Sequence, residues 1–413
     1  MIQKLDHKNT TTHHHPLSPI HEPTALHVAT LNLTNILHCN LPINTSTVPN
    51  ISSMRDDEEM QKTNTRGGQP TPPEQGEGKL ELGNISIEYG YMCQCGEKDG
   101  PSQNKDWFSA VTDFAGKSLD PYFTNDAFFS VCDGHGRDGD KCAKYAANRI
   151  PRRLKYNLRE KAKVEGKQSA DDLDEDDIYK TCNKAYVDCN KAMRDQTFDI
   201  QTSGTTCTSA YIQGAKKRIL IANVGDSRAV LGRKGSARPL SYDQTPYRGS
   251  ERKRIRDKGA RVLSLDQIDH IAPTIVGTDE LIPGTKEHHD YTDLIEGEEE
   301  ESGWRIWHQT KPSPGTAFTR SLGDIIAEDL GVIANPENVM LNLEEGDDVV
   351  VLATDGVFEF LTNQSVIDIC TQFKEEGPLK ASKEVISRSK EYWKNYESII
   401  DDMTCIVIFI DSI

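Results

Sequence analysis

The feature that most constrains this chain is a device that occurs twice, a strongly apolar run that ends in Asp-Gly. Phe128-Phe129-Ser130-Val131-Cys132 leads into Asp133-Gly134-His135-Gly136, and Val349-Val350-Val351-Leu352-Ala353-Thr354 leads into Asp355-Gly356. Short apolar, β-branched runs of this kind are strands buried in a sheet. Each aspartate therefore stands where a rigid element surfaces, and the glycine after it lets the backbone turn with its carbonyl toward the same point. One Asp-Gly is ordinarily a turn. Two that end buried strands, one with a histidine two residues on, need a further explanation, and an oxygen site for a hard cation supplies it. More aspartates fall at strand or turn boundaries: Asp106, Asp226 in Gly225-Asp226-Ser227-Arg228, Asp324 in Ser321-Leu322-Gly323-Asp324, and Asp401-Asp402. A set of acids with no accompanying Cys or His ligands favours Mg²⁺ or Mn²⁺ over zinc.

Strands are expected over Asn84 to Cys93, Asp106 to Phe114, Asp126 to Cys132, Thr205 to Ile212, Ile219 to Val224, Arg228 to Gly232, Asp348 to Ala353 and Met403 to Ile410. Helical patterns follow Asp138 and cover Asp177 to Arg194, Ser250 to Lys258, Asn363 to Phe373 and Leu379 to Trp393. Meandering strands with helices in separate blocks indicate an α+β fold, in which a sandwich of sheets flanked by helices accommodates the order. Residues 1–81 are polar, Pro-rich and carry seven of the 12 histidines in their first 40 positions. They are expected to be a disordered extension, with the folded domain occupying 82–413.

The formal net charge is −17. This argues against nucleic-acid and anionic-membrane partners, because phosphate surfaces need clustered cations. Most of the excess is local. Residues 171–177 hold six acids and no base, and residues 279–301 hold ten acids against one lysine. Both pieces, near 168–177 and 279–303, are expected to be solvated loops or insertions. No stretch reaches the ~18 apolar residues of a membrane span, and the first 20 residues lack a hydrophobic signal core. The ten cysteines are scattered without paired CxxC units, so reduced thiols and a cytoplasmic location are expected, with the nucleus also allowed. Cys93 and Cys95 read as strand packing.

Two rival motifs fail. Gly134-His135-Gly136-Arg137-Asp138-Gly139 satisfies GxGxxG, but Asp133 would sit beside a pyrophosphate, no acid-ending strand follows at the required distance, and the sheet does not look parallel. A calcium loop counted from Asp133 puts Asp138 where its sixth-position glycine belongs.

The series Asn104-Lys105-Asp106, Asp133-Gly134-His135-Gly136, Ser203-Gly204-Thr205-Thr206, Gly225-Asp226-Ser227-Arg228, Arg320-Ser321-Leu322-Gly323-Asp324, Asp355-Gly356-Val357-Phe358-Glu359 and Asp401-Asp402-Met403-Thr404 resembles the ordered motifs of metal-dependent protein Ser/Thr phosphatases of type 2C, the PPM family. The resemblance covers roughly residues 82–413. Tyr242-Asp243-Gln244-Thr245-Pro246 through Arg261-Val262, with Pro314 to Thr319, is similar to the subgroup fused in some plants and protists to cyclic-nucleotide-binding and kinase modules, which are absent here. The resemblance implies a central β-sandwich of two antiparallel sheets flanked by helices, acting as a monomer on phosphoprotein substrates. It implies two Mg²⁺ or Mn²⁺ ions, with Asp133 bridging them, the Gly134 carbonyl on one, and Asp355 and Asp401 on the other. Asp106 would orient the water, a metal-bound hydroxide would attack phosphorus, and His135 would protonate the leaving oxygen. Asp226 and Glu359, with Asp355, match a looser third metal site.

The chain also departs from the family. Lys105 stands where a Glu is common, Pro101 where many members have a phosphate-binding Arg, and Asp402 where an Asn is common. Another cation, Lys98 or Lys105, is then needed for the phosphate, and Asp401 is preferred over Asp402 as ligand. These departures motivate the alternative of a catalytically weak binding or scaffold protein. The segment from Leu265 to Thr319 corresponds to the family's flap. Its Trp304 and Trp307 read as packing anchors and its acids as a solvated loop, with charge selection of basic phosphopeptides as the functional alternative. Ser203 to Thr206 has no local base and reads as strand-edge structure.

Overall fold

A computed structural model describes residues 75–97, 103–116, 120–268 and 303–412. Most of the N-terminal extension, residues 279–302 of the acidic segment, Lys98 and Pro101 lie outside the described residues. In chain order the elements begin with β1 Gln75–Leu82, β2 Ile85–Gln94, β3 Trp107–Val111, β4 Asp126–Cys132, β5 Gly134–His135, α1 Gly139–Val164 and α2 Glu175–Met193. There follow β6 Gly204–Thr205, β7 Cys207–Gln213, β8 Arg218–Val224, β9 Arg228–Arg233, β10 Ser236–Pro239, α3 Gly249–Asp257, β11 Arg261–Leu263 and α4 Leu265–Ile268. The chain continues through β12 Arg305–Trp307, β13 Pro314–Thr316, β14 Leu322–Gly323, α5 Ile325–Glu328, β15 Glu337–Asn342 and β16 Asp347–Ala353. It closes with α6 Asp355–Phe358, α7 Asn363–Gln372, α8 Pro378–Tyr396 and β17 Met403–Ser412.

Two sheets form the centre, in the orders β1-β2-β17-β16-β9-β10 and β15-β8-β7-β4-β3. Every neighbouring pair in them is antiparallel. This is the expected α+β sandwich. Phe129 and Val131 of β4 meet Val350 and Leu352 of β16 between the sheets. Phe128 and Cys132 face outward under α1 and α2, while Val349 and Val351 face outward under α7 and α8. Antiparallel strands usually alternate apolar and polar. Here helices cover both outer faces, so β4 is buried along its whole length, with Ser130 paired to Ser109 at 3.0 Å, and β16 is apolar on both faces from Val349 to Ala353.

Two expectations need correction. Residues 75–81, assigned to the extension, are most of strand β1, paired with β2 from Gln75↔Met92 to Leu82↔Ile85. Gln75-Gly76-Glu77-Gly78 looks like a breaker, yet the glycines make room for aromatic rings: a Cβ on Gly76 would lie 2.3 Å from the Tyr91 hydroxyl, and one on Gly78 2.5 Å from that of Tyr89. Cross-strand rings covering glycines stabilise such an edge. The acidic piece 171–177 is not a free loop either. It forms one 3₁₀ turn and the start of α2, where the Asp174 carboxylate accepts from the Asp177 N–H at 2.8 Å. Acids are favourable at a helix N-terminus, where the macrodipole is positive.

Among the described residues the cysteines are free thiols, and no helix is long and apolar enough to cross a membrane. Helix α8 reaches the sheet through Gly90, where a Cβ would lie 2.2 Å from the Leu379 nitrogen. Gly90→Ala is expected to lower stability by ~1–3 kcal/mol through overpacking, read by urea unfolding. Gly249→Ala, with nothing within 4 Å, should be close to neutral.

Candidate active site

The loops after β4 and β16, which belong to opposite sheets, meet the turns before β3 and β17 at one edge of the sandwich. They border a cavity of about 530 Å³ lined by Asp133, Gly134, His135, Asp226, Asp355 and Asp401, and also by Lys105, Asp324 and Asp402. Two sequence-predicted residues do not line it. Asp106 is 1% exposed and buried against the adjoining strands. Glu359 is exposed, one helical turn beyond Asp355, although its charge still acts on Asp226.

The Asp106 Oδ2 accepts from the Thr354 hydroxyl at 2.9 Å and from the Thr404 hydroxyl at 2.8 Å. Its Oδ1 is buried without a partner, and so is Oδ1 of Asp355. Burial, followed by the charge of Asp402, holds the Asp106 carboxyl well above the usual range. Burial and then Asp355 do the same to Asp133 and to Asp226. Burial and then Asp401 push Asp355 up to about 6. Carboxylates that repel one another while holding unpartnered oxygens lack a counter-charge, and an oxygen-seeking divalent cation fits that donor set. Among the described residues no three acidic, His or Cys side chains already form a closed ligand group, so the carboxylates would draw inward around an ion.

Asp401 and Asp402 are separated by their hydrogen bonds. The two Asp402 oxygens accept from the backbone N–H groups of Gly96 at 2.7 Å and Lys105 at 2.9 Å. That carboxylate is a clamp between loops, which leaves Asp401 as the better ligand candidate. The glycines also differ from expectation. Neither Gly134 nor Gly356 has a positive φ; they supply space. A Cβ on Gly134 would lie 2.2 Å from the Gly139 carbonyl oxygen, and one on Gly356 2.2 Å from that of Asp402. The Gly356 carbonyl accepts from the Ser389 hydroxyl and Trp393 Nε1, both at 2.7 Å, so α8 occupies it and it does not serve an ion. Gly134 keeps its place on the cavity wall.

His135 is held by Asp324, an acid that by sequence counted only toward the cation site. Its Nε2 lies 2.6 Å from Asp324 Oδ2, and Phe318 packs on the ring with centroids 4.3 Å apart. Asp324 reaches it from a left-handed turn (φ 49°) at the start of α5, with its N–H donated to the Ser203 carbonyl at 3.0 Å. Gly204 permits the approach, since a Cβ there would lie 2.0 Å from Asp324 Oδ2. Thr206 also works behind the site, its hydroxyl accepting from the Asp133 N–H at 3.0 Å. Ser203 to Thr206 is thus structural, within the small β14-β6-β5 sheet.

The protein phosphatase 2C family model matches residues 118–395. Probable protein phosphatase 2C 35 of Arabidopsis thaliana is 34% identical over 331 residues, covering 79% of this chain and 84% of that protein. The chain belongs to the protein phosphatase 2C family. It is a metal-dependent protein Ser/Thr phosphatase. Probable protein phosphatase 2C 73 of Oryza sativa subsp. japonica is 28% identical over 333 residues, covering 74% of this chain and 69% of that one. In three dimensions the fold matches a serine-threonine phosphatase 2C from Toxoplasma gondii, with TM-score 0.59 and 14% identity over 82% of this chain and 100% of that chain.

Within this phosphatase, several motif residues turn out to be scaffold. Arg228 makes a two-pronged pair with Asp243 at 2.9 and 2.7 Å. Arg320 grips Glu251 at 2.7 and 3.1 Å; burial opposes the Glu251 charge, but Arg320 and Arg254 bring its pKa down to about 2. Trp307 is a packing anchor, 6% exposed, donating Nε1–H to the Leu263 carbonyl at 2.9 Å.

The crowded carboxylates set the pH response of the metal-free protein. Their folded-state pKa values are raised, so the native state binds more protons than the unfolded one, and stability falls as pH rises from about 4 through about 6. In chelator the unfolding temperature should drop between pH 5 and pH 7.5, and saturating Mn²⁺ should remove the drop. A flat profile in chelator would contradict this account.

Proposed function

We propose that Asp133, the Gly134 carbonyl, Asp355 and Asp401 hold a pair of Mg²⁺ or Mn²⁺ ions. Asp226, with Glu359 at longer range, would favour a third, weaker ion. The observation that carries this reading is the orphaned oxygen of Asp355 in a cavity that also holds Asp133 and Asp401. When bound, divalent ions neutralise phosphoryl oxygens and make water more acidic. The protein's part is position. Asp106, fixed on one oxygen by two threonines, keeps its other oxygen to orient the attacking water. His135, fixed through Nε2 by Asp324, presents Nδ1 to the departing Ser or Thr oxygen and supplies its proton.

The substrates proposed are phosphoserine and phosphothreonine proteins, met by a monomer in the cytoplasm. The likeness of Tyr242 to Pro246 to the subgroup fused to kinase modules is part of the same proposal. Gln244 of that motif supports the site indirectly, accepting from the Gly225 N–H at 2.7 Å beside Asp226.

With a phosphothreonine peptide, phosphate release should require Mn²⁺ or Mg²⁺, and Asp133→Asn should lower kcat by ~10²-fold or more. Metal-independent release, or full activity in Asp133→Asn, would sink the ligand assignment; no release at all would favour the binding-module alternative. Asp324→Asn should lower kcat at least ~10-fold on the peptide and much less on p-nitrophenyl phosphate, whose leaving group needs no proton. Equal losses on both substrates would remove Asp324 from the proton-transfer arrangement.

A further inference from the structure

The cavity is short of positive charge for the substrate that the proposed function assigns to it. Six aspartates line it against two cationic side chains, Lys105 and Arg305. Arg305 lies in β12 of the separate β11-β12-β13 sheet, so it reaches the cavity from a different element than the acids do. Its Nη1 donates to the Gly315 carbonyl at 2.9 Å, which fixes the guanidinium. Its Nε is buried without a partner, and Nη2 has no acceptor among the described residues. The hydroxyl of Thr316, on the neighbouring strand and also lining the cavity, is likewise buried and unpartnered. The flap hairpin thus brings two groups with unused hydrogen-bonding capacity to the site.

On the phosphatase reading of this cavity, we propose that Arg305 is the residue that binds the substrate's phosphoryl group, in place of the cation that Pro101 cannot provide. A planar guanidinium matches two phosphoryl oxygens at once, whereas an ammonium acts as a point charge. Lys105 is the less suited of the two, because its backbone N–H is clamped by Asp402 in the turn that carries Asp106.

The test is steady-state kinetics with a phosphothreonine peptide, Mn²⁺ and inorganic phosphate as product inhibitor. An inactive wild-type protein would end the phosphatase reading itself, an outcome separate from failure of this proposal. With active wild type, Arg305→Gln is expected to raise KM and the inhibition constant for phosphate together by ~10- to 100-fold, the size of a lost charged hydrogen bond. The kcat should stay within about threefold, as loss of uniform binding requires. Glutamine keeps a donor for the Gly315 carbonyl, so the flap contact is conserved while the charge is lost. The ionic-strength dependence of KM should flatten in Arg305→Gln, and Arg305→Lys should recover part of the affinity. Unchanged KM and phosphate inhibition in Arg305→Gln would overturn the proposal. So would a larger loss of phosphate affinity in Lys105→Ala, or a rise in KM that keeps the wild-type salt dependence.

Discussion

The site depends on the way one oxygen of Asp106 is used. By accepting from the hydroxyls of Thr354 and Thr404, it joins the turn before β3 in one sheet to the ends of β16 and β17 in the other. Asp402 repeats the device a few residues away, tying the backbone of Gly96 to that of Lys105. Hydrogen bonds within a protein are each worth ~0.5–1.5 kcal/mol net, and an acceptor left buried without its donor costs more. Here they hold two sheets at the spacing that puts Asp133 and Asp355 on one cavity. Asp106, buried behind the cavity, and Asp402, on its wall, therefore place the acids proposed to hold the ions.

That arrangement brings like charges together, and the fold opposes it with rigidity and leaves the balance to a cation. Burial and mutual repulsion act on Asp106, Asp133, Asp226 and Asp355 alike. The arginines of the motifs do not relieve them. Arg228 is occupied by Asp243 and Asn363, and Arg320 by Glu251, Glu337 and the Asn335 carbonyl. Their charges anchor loops behind the site, so residues that look catalytic by motif are structural by contact. The cavity is left acidic except for Lys105 and the flap arginine.

Much of this was legible in the chain. β4 and β16 stood out because helices cover the outer faces of both sheets, and a strand covered on both sides is apolar along most of its length. What misled was local composition read without a partner. Gln75 to Gly78 looked like a breaker because the rings of Tyr89 and Tyr91 that complete the strand lie on β2. The 171–177 acids looked solvated because a helix terminus stabilises clustered acids only once the helix exists. Asp324 was visible as an acid at a turn, but nothing local reveals that its carboxylate ends 2.6 Å from a histidine 189 residues earlier.

The sequence alone determined which residue types stand at the ends of buried strands, because hydrophobic runs and their periodicity specify burial directly. With the ordered motifs, that was enough for the fold class and the reaction family, and it pointed to the acids that line the cavity. Only the tertiary structure decided how each polar atom is used. It assigned one of two adjacent aspartates to a backbone clamp, gave the Gly356 carbonyl to α8, moved Glu359 off the cavity and placed Asp324 behind His135. Three of those outcomes depend on hydrogen-bond partners 33 to 306 residues apart, whose distances are set by the packing of the sheets and of α8.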